Sequence, residues 1–241
     1  FMHEDAYKPL LFDELVVVLD VPPEDVNAFR NILDELEEEG RIFKTRKNRY
    51  GVPERMNLVV GCLQGSERGY AFVIPDDESM NDIFIPADSI NGAMHNDKVI
   101  ARINKKITEG RRAEGEIVRV VKRANNTVVG TFEMSRYFGF VTPDNVKISG
   151  DIFVPKDEFN GAKSGQKVVA EIVKWPEKRR NAEGRIIEIL GDKDETGTDI
   201  LSIIKAYGLS EDFPENVERQ LRDIPDEITE DSIKNRRDLR N

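Results

Sequence analysis

The sequence predicts a mainly β protein with some α: a winged helix-turn-helix, two tandem β-barrels of the OB type, and a short helical tail. Three observations predict it: one pattern occurs twice, each copy alternates apolar and polar residues with period two, and helical spacing is confined to the chain's two ends. The first copy runs Gly61-Cys62-Leu63, then Arg68-Gly69-Tyr70-Ala71-Phe72-Val73-Ile74-Pro75-Asp76, then Asp82-Ile83-Phe84-Ile85-Pro86. The second, about 69 positions on, runs Gly130-Thr131-Phe132, then Arg136-Tyr137-Phe138-Gly139-Phe140-Val141-Thr142-Pro143-Asp144, then Asp151-Ile152-Phe153-Val154-Pro155. The match continues downstream, with Asn91-Gly92-Ala93 recurring as Asn160-Gly161-Ala162 and Ala113-Glu114-Gly115 as Ala182-Glu183-Gly184. A shared offset held over so long a stretch marks a duplicated fold unit.

Residues 1–55 are expected to form the winged helix-turn-helix. Leu10, Leu11, Leu15, Val18 and Leu19 fall on one helical face, and Val21-Pro22-Pro23 breaks the segment. Val26, Phe29, Ile32, Leu33 and Leu36 make a second helix that ends at Gly40, a residue suited to a helix C-terminus. A basic hairpin follows, turning at Asn48, with Arg41, Lys44, Arg46, Lys47 and Arg49 and no acid among them. The two repeats, 56–125 and 126–191, each hold four or five short strands rich in Val, Ile, Phe and Gly, the composition of a small closed Greek-key barrel. Residues 192–241 read as a polar linker, short helices at 199–208 and 214–223, and an acidic, poorly periodic end.

Composition narrows the function. No run of about 18 apolar residues exists, so no membrane-spanning helix is expected. The first residues lack the basic-then-apolar pattern of a signal segment. The single cysteine, Cys62, excludes a disulfide framework and suits a reducing cytoplasm. With only His3 and His95, the chain cannot build a zinc site rich in histidine or cysteine. Net charge is −10, yet the repeats between residues 54 and 191 hold 20 acids against 21 bases. Their cations cluster as Arg102, Lys105, Lys106, Arg111 and Arg112, and as Lys174, Lys178, Arg179 and Arg180. A local basic stripe, not the overall charge, makes a phosphate-binding footprint. The acidic surface of the second helix (Glu35, Glu37, Glu38, Glu39) repels a phosphate backbone, so the wing's Arg46, Lys47 and Arg49 are candidates for nucleic acid and the module equally for protein contact.

Residues two apart on a strand share a face. Tyr70 and Phe72 therefore project together and Phe84 can join them, while Phe138, Phe140 and Phe153 repeat the set. Val73, Ile83, Ile85, Val141, Ile152 and Val154 occupy the alternate positions and supply the core. Arg68 and Arg136 head the aromatic strands, ready to meet a phosphate. Rings on an open sheet stack on bases of any identity, which points to a single-stranded nucleic acid as the partner.

Arg68–Val73 with Asp82–Ile85, and Arg136–Val141 with Asp151–Val154, resemble the paired RNA-binding motifs of cold-shock domains. Pro86 and Pro155 depart from it, standing where bacterial cold-shock proteins place a histidine, so each platform lacks one stacking ring. The order of winged helix, two cold-shock domains and a helical lead-in ending Arg237-Asp238-Leu239-Arg240 resembles the N-terminal part of the ribonuclease II family. That resemblance implies a parent 3′–5′ exoribonuclease, processive and Mg²⁺-dependent, whose catalytic aspartates follow the Arg-Asp-Leu-Arg segment. On it, residues 192–241 are the linker and the start of the catalytic domain, and the chain alone holds no catalytic residue and no cofactor. A self-standing cold-shock RNA chaperone, a winged-helix DNA-binding regulator and a protein-docking module remain alternatives.

Overall fold

The computed structural model describes residues 1–4, 6–105, 112–177, 180–210, 213–222 and 224. They fall into two compact units, 1–202 and 203–241.

The N-terminal module contains β1 (Leu10–Leu11), α1 (Phe12–Val18), α2 (Val26–Glu38), β2 (Phe43–Lys44) and β3 (Arg49–Gly51). Its sheet has the order β1-β3-β2. Leu15, Leu33, Ile42 and Tyr50 form its core, with Phe12, Phe29 and Leu36 packed around them. Leu10 and Leu11, expected on the first helix, are instead a strand paired with Tyr50 and Arg49. Their backbone groups find partners on β3, and Leu11 N–H donates to Glu14 Oε2 at 2.8 Å, which starts the helix at Phe12. The expected apolar face shrinks accordingly: Leu15 is fully buried, whereas Val18 and Leu19 are exposed. Gly40 follows α2 with φ +74°. Gly40 N–H donates to Glu37 O and Arg41 N–H to Leu36 O, the paired bonds of a Schellman ending. Asn48 holds φ +55° in the tight turn between β2 and β3.

The first barrel comprises β4 (Leu58–Gly65), β5 (Ala71–Pro75), β6 (Ile83–Ile85), β7 (Lys98–Lys105) and β8 (Glu114–Lys122). The second comprises β9 (Thr127–Met134), β10 (Phe138–Pro143), β11 (Ile152–Pro155), β12 (Gln166–Lys174) and β13 (Glu183–Asp192). Both close with one topology, β4-β5-β6-β8-β7 and β9-β10-β11-β13-β12, so neither leaves a free edge. The closing seam is short in each: one parallel pair, Phe84 with Glu114 in the first and Phe153 with Glu183 in the second. The long hairpins β7–β8 and β12–β13 carry register shifts at equivalent places, which coil the sheet enough to close. Gly61 and Gly130 serve the same end. A methyl at either would stand 2.2 Å from a carbonyl oxygen of the neighbouring strand, Ile74 O or Thr142 O. The cores are built by Leu63, Val73, Ile83, Ile85 and Val99 in one barrel and by Phe132, Val141, Ile152, Val154 and Val168 in the other.

Within the first unit the modules pack on one another. Glu37 of α2 pairs with Arg119 of β8. Arg123, just after β8, donates to Gly92 O at 2.7 Å and to the buried Asp97 Oδ2 at 2.8 Å. Its guanidinium carbon lies 4.2 Å over the ring of Trp175 in the second barrel. Toward the C-terminus come α3 (Thr198–Ala206) and α4 (Glu215–Arg222), near the helices expected at 199–208 and 214–223. No helix among the described residues is long and apolar enough to cross a membrane.

Candidate nucleic-acid interface

Strand register assembles the aromatic groups. Phe72 on β5 stands directly opposite Phe84 on β6, and Phe140 on β10 opposite Phe153 on β11. Tyr70 and Phe138 complete each set, giving two triangles of rings. In the first, centroids are 5.6–5.7 Å apart. In the second they are 5.3–5.9 Å apart. Four of the six pairs meet edge to face. All six rings are half-buried, while Val73, Ile83, Ile85, Val141, Ile152 and Val154 beneath them are no more than 1% exposed. Sheet alternation thus divides each strand pair into a sealed core face and an aromatic outer face.

The cations are placed less uniformly. Arg112 is exposed, with its guanidinium carbon 5.0 Å from the Phe72 ring centroid, so a charge already stands over the first platform. Asn181 occupies the matching place in the second repeat. Arg68 and Arg136 are exposed in the turns that lead into β5 and β10. Arg46 and Lys47 are exposed at the hairpin turn of the N-terminal module. Arg49 is not free: its guanidinium donates to Pro9 O at 2.9 Å and to Glu14 Oε2 at 3.0 Å, tying β3 to α1. Arg102 and Lys174 likewise pair along the barrel walls, with Glu116 at 3.1 Å and Glu183 at 2.8 Å. Arg180 is exposed in a short bridge with Glu177. Lys105 ends β7. Arg111, Lys178 and Arg179 lie outside the described residues.

Tyr137 is a ring that the repeat comparison does not single out. It is 69% exposed beside Phe138, and Arg136 lies 5.3 Å from its ring centroid. The first copy carries Gly69 there, so the position breaks the duplication. That break was its only signal.

Three titratable groups of the first barrel are perturbed: His95, Cys62 and Asp77, the last held down by hydrogen bonds from Ser79. Burial, and then the charge of Lys147, push the His95 pKa down. Its Nδ1 accepts a hydrogen bond from Gly65 N–H at 3.3 Å. Burial raises the Cys62 thiol, partly opposed by Lys98. Among the described residues no three His, Cys, Asp or Glu side chains converge to hold a metal. Asp76 and Asp144, the acids of the two Pro-Asp turns, pair instead with Lys98 and Lys167. The described donor set therefore does not fit a Mg²⁺ site.

Comparison with known proteins agrees with this architecture. Residues 61–120 match the ribonuclease B OB domain and residues 140–214 the cold shock domain. Ribonuclease R of Thermotoga maritima is 37% identical over 244 residues, covering 100% of this chain and 34% of the relative. Ribonuclease R of Escherichia coli K12 is 33% identical, covering 97% of this chain and 28% of the relative. The chain thus spans about a third of the length of the curated relatives it matches. A solved structure of Mycoplasma genitalium RNase R with ribose methylated single-stranded RNA shares the fold at TM-score 0.61 and 17% identity, covering 70% of this chain and 27% of that one. With two OB-type barrels in tandem and similarity running from end to end, the chain belongs to the ribonuclease R family and corresponds to its N-terminal region.

Proposed function

We propose that this chain captures single-stranded RNA for a ribonuclease R-type 3′–5′ exoribonuclease. The observation that carries the reading is the pair of aromatic triangles, repeated at the same register positions on two barrels. Bases stack on Tyr70, Phe72 and Phe84, and on Phe138, Phe140 and Phe153. Exposed Arg68, Arg112, Arg136 and Arg180 meet the phosphates. Stacking ignores base identity and the rings are only half-buried, so the surface favours a flexible single strand over a duplex, whose bases are already stacked. The RNA complex of the Mycoplasma genitalium enzyme supports this choice of ligand.

On this reading residues 1–55 are a winged helix-turn-helix, 56–125 and 126–191 two cold-shock barrels, and 192–241 a linker with the helical start of the catalytic domain. The hairpin cations Arg46 and Lys47 add a weaker phosphate contact, and the helices of that module remain open to a protein. Hydrolysis and its Mg²⁺ belong to the whole enzyme, which works in the cytoplasm.

Titration of fluorescently labelled RNA and of duplex DNA, each at two salt concentrations, tests the proposal. The expected result is tighter binding to single-stranded RNA with affinity falling steeply as salt rises. Tighter binding to duplex DNA would favour the DNA-binding alternative.

A further inference from the structure

Between the two barrels lies a groove of about 320 Å³ that the aromatic platforms do not explain. Tyr70 and His95 of the first barrel line one side, and Lys147 and Gly150, from the connection between β10 and β11, the other. The junction around it is tightly built. A methyl at Gly65 would stand 2.2 Å from Lys147 O, and one at Gly92 would stand 2.1 Å from Pro176 O. The repeat as such does not require this, since Gly161, the counterpart of Gly92, has nothing within 4 Å of such a methyl. The Arg123 contacts to Gly92, Asp97 and Trp175 hold the same junction from behind.

The chemistry of the groove is that of one nucleotide. Tyr70 belongs both to the first platform and to the groove, so a strand lying on the platform leads into it. Lys147 is exposed, and among the described residues it forms no ion pair, which leaves its ammonium for an anion. Asp88 and Glu177 also line the groove and confine the anionic part of a ligand to Lys147. His95 accepts from Gly65 and so is neutral at its Nδ1, adding no charge of its own.

We propose that this groove holds one nucleotide of the RNA strand as it crosses from the first platform to the second barrel, its base against Tyr70 and its phosphate at Lys147. The proposal rests on the RNA-binding reading and adds to it a residue and a path. Lys147→Ala and Lys147→Glu are compared with the unaltered chain, with Phe72→Ala and with Lys163→Glu, the reversal of another exposed lysine on the second barrel. Binding of single-stranded RNA long enough to cover both barrels is titrated against salt. Loss of one phosphate contact lowers the slope of log affinity against log salt by about 0.7 in Lys147→Ala. Lys147→Glu weakens binding by about tenfold at low salt, well beyond Lys163→Glu. Unchanged melting temperatures show that the variants fold. Wild-type affinity and slope in both Lys147 variants, with Phe72→Ala weakened, would overturn the groove and leave the RNA reading intact. So would equal losses at Lys147 and Lys163, which reduce the effect to a general field. Absence of RNA binding by the unaltered chain would overturn both readings together.

Discussion

Phe72 and Phe140 sit half-buried over fully sealed valines, so their removal separates packing from recognition. Each Phe→Ala change is expected to weaken RNA binding by about 1–3 kcal/mol, the worth of one base–ring stack. The cost in folding stability should fall short of the roughly 3–5 kcal/mol of a core Phe→Ala. Melting and RNA titration of the same variants check both; large destabilisation with unchanged affinity per folded molecule refutes the platforms. His95 gives a pH dependence of definite sign. Burial depresses its pKa in the folded chain, so the unfolded chain binds the proton more readily. The stability associated with the neutral ring is complete above the unfolded value of about 6.5 and is lost as pH falls from there toward the folded value. Protonation also removes the acceptor for Gly65 N–H and places a second cation near Lys147. The melting temperature is expected to drop more between about pH 7 and pH 5 in the unaltered chain than in His95→Gln. Parallel curves for the two would show that His95 does not titrate against folding.

Barrel closure and barrel pairing are properties of elements. Gly130→Ala would bring a methyl to 2.2 Å from Thr142 O, and strand β9 cannot shift without breaking its ladder with β10. A loss of about 3 kcal/mol is expected, the upper range for overpacking, as read by denaturant unfolding. Arg123→Ala strips the cationic partner from Asp97, which is fully buried and, among the described residues, retains the Met94 and Ala124 N–H donors. It should cost about 3 kcal/mol, and a loss below about 1 kcal/mol would show that this pair does not hold the junction. The barrel strands were legible because a two-sided sheet writes its period into adjacent residues: Val73 and Ile83 fall to the core and Phe72 and Phe84 to the outside by alternation alone. Helix ends were legible where one residue sets the local backbone, as at Gly40. Leu10–Leu11 were not, since their strand state depends on a partner at Arg49–Tyr50, far along the chain. The roles of Arg49 and Arg102 were hidden for the same reason. A cation in sequence is indistinguishable from a free one until Glu14 or Glu116 folds against it. Contacts between the barrels left no periodic trace; Gly65, where the second copy carries Met134, is a hint of them, whereas Gly92 recurs as Gly161 and gives none.

On the RNA-binding proposal, the described residues are expected to bind RNA without turning it over. The acids of the Pro-Asp turns are paired with lysines, and no cluster among the described residues gathers donors for the metal that phosphodiester hydrolysis uses. Incubation with end-labelled RNA in Mg²⁺ or Mn²⁺, with an EDTA control, should leave the RNA intact; metal-dependent release of mononucleotides that copurifies with the chain would contradict this. The single-pair seam that closes each barrel gives binding a mechanical side. Phe84 N–H donates to Ala113 O and Phe153 N–H to Ala182 O, each at 2.8 Å, and these amides lie at the narrowest fastening of their barrels. In the free protein these are expected to be among the first ladder bonds of each barrel to open, and so to exchange faster than the amides of the longer hairpins. A base stacked on the ring of either residue weighs on that fastening from outside. Bound RNA then acts as a brace, and slowed deuterium uptake at Phe84 and Phe153 would record the strand's arrival at each barrel separately.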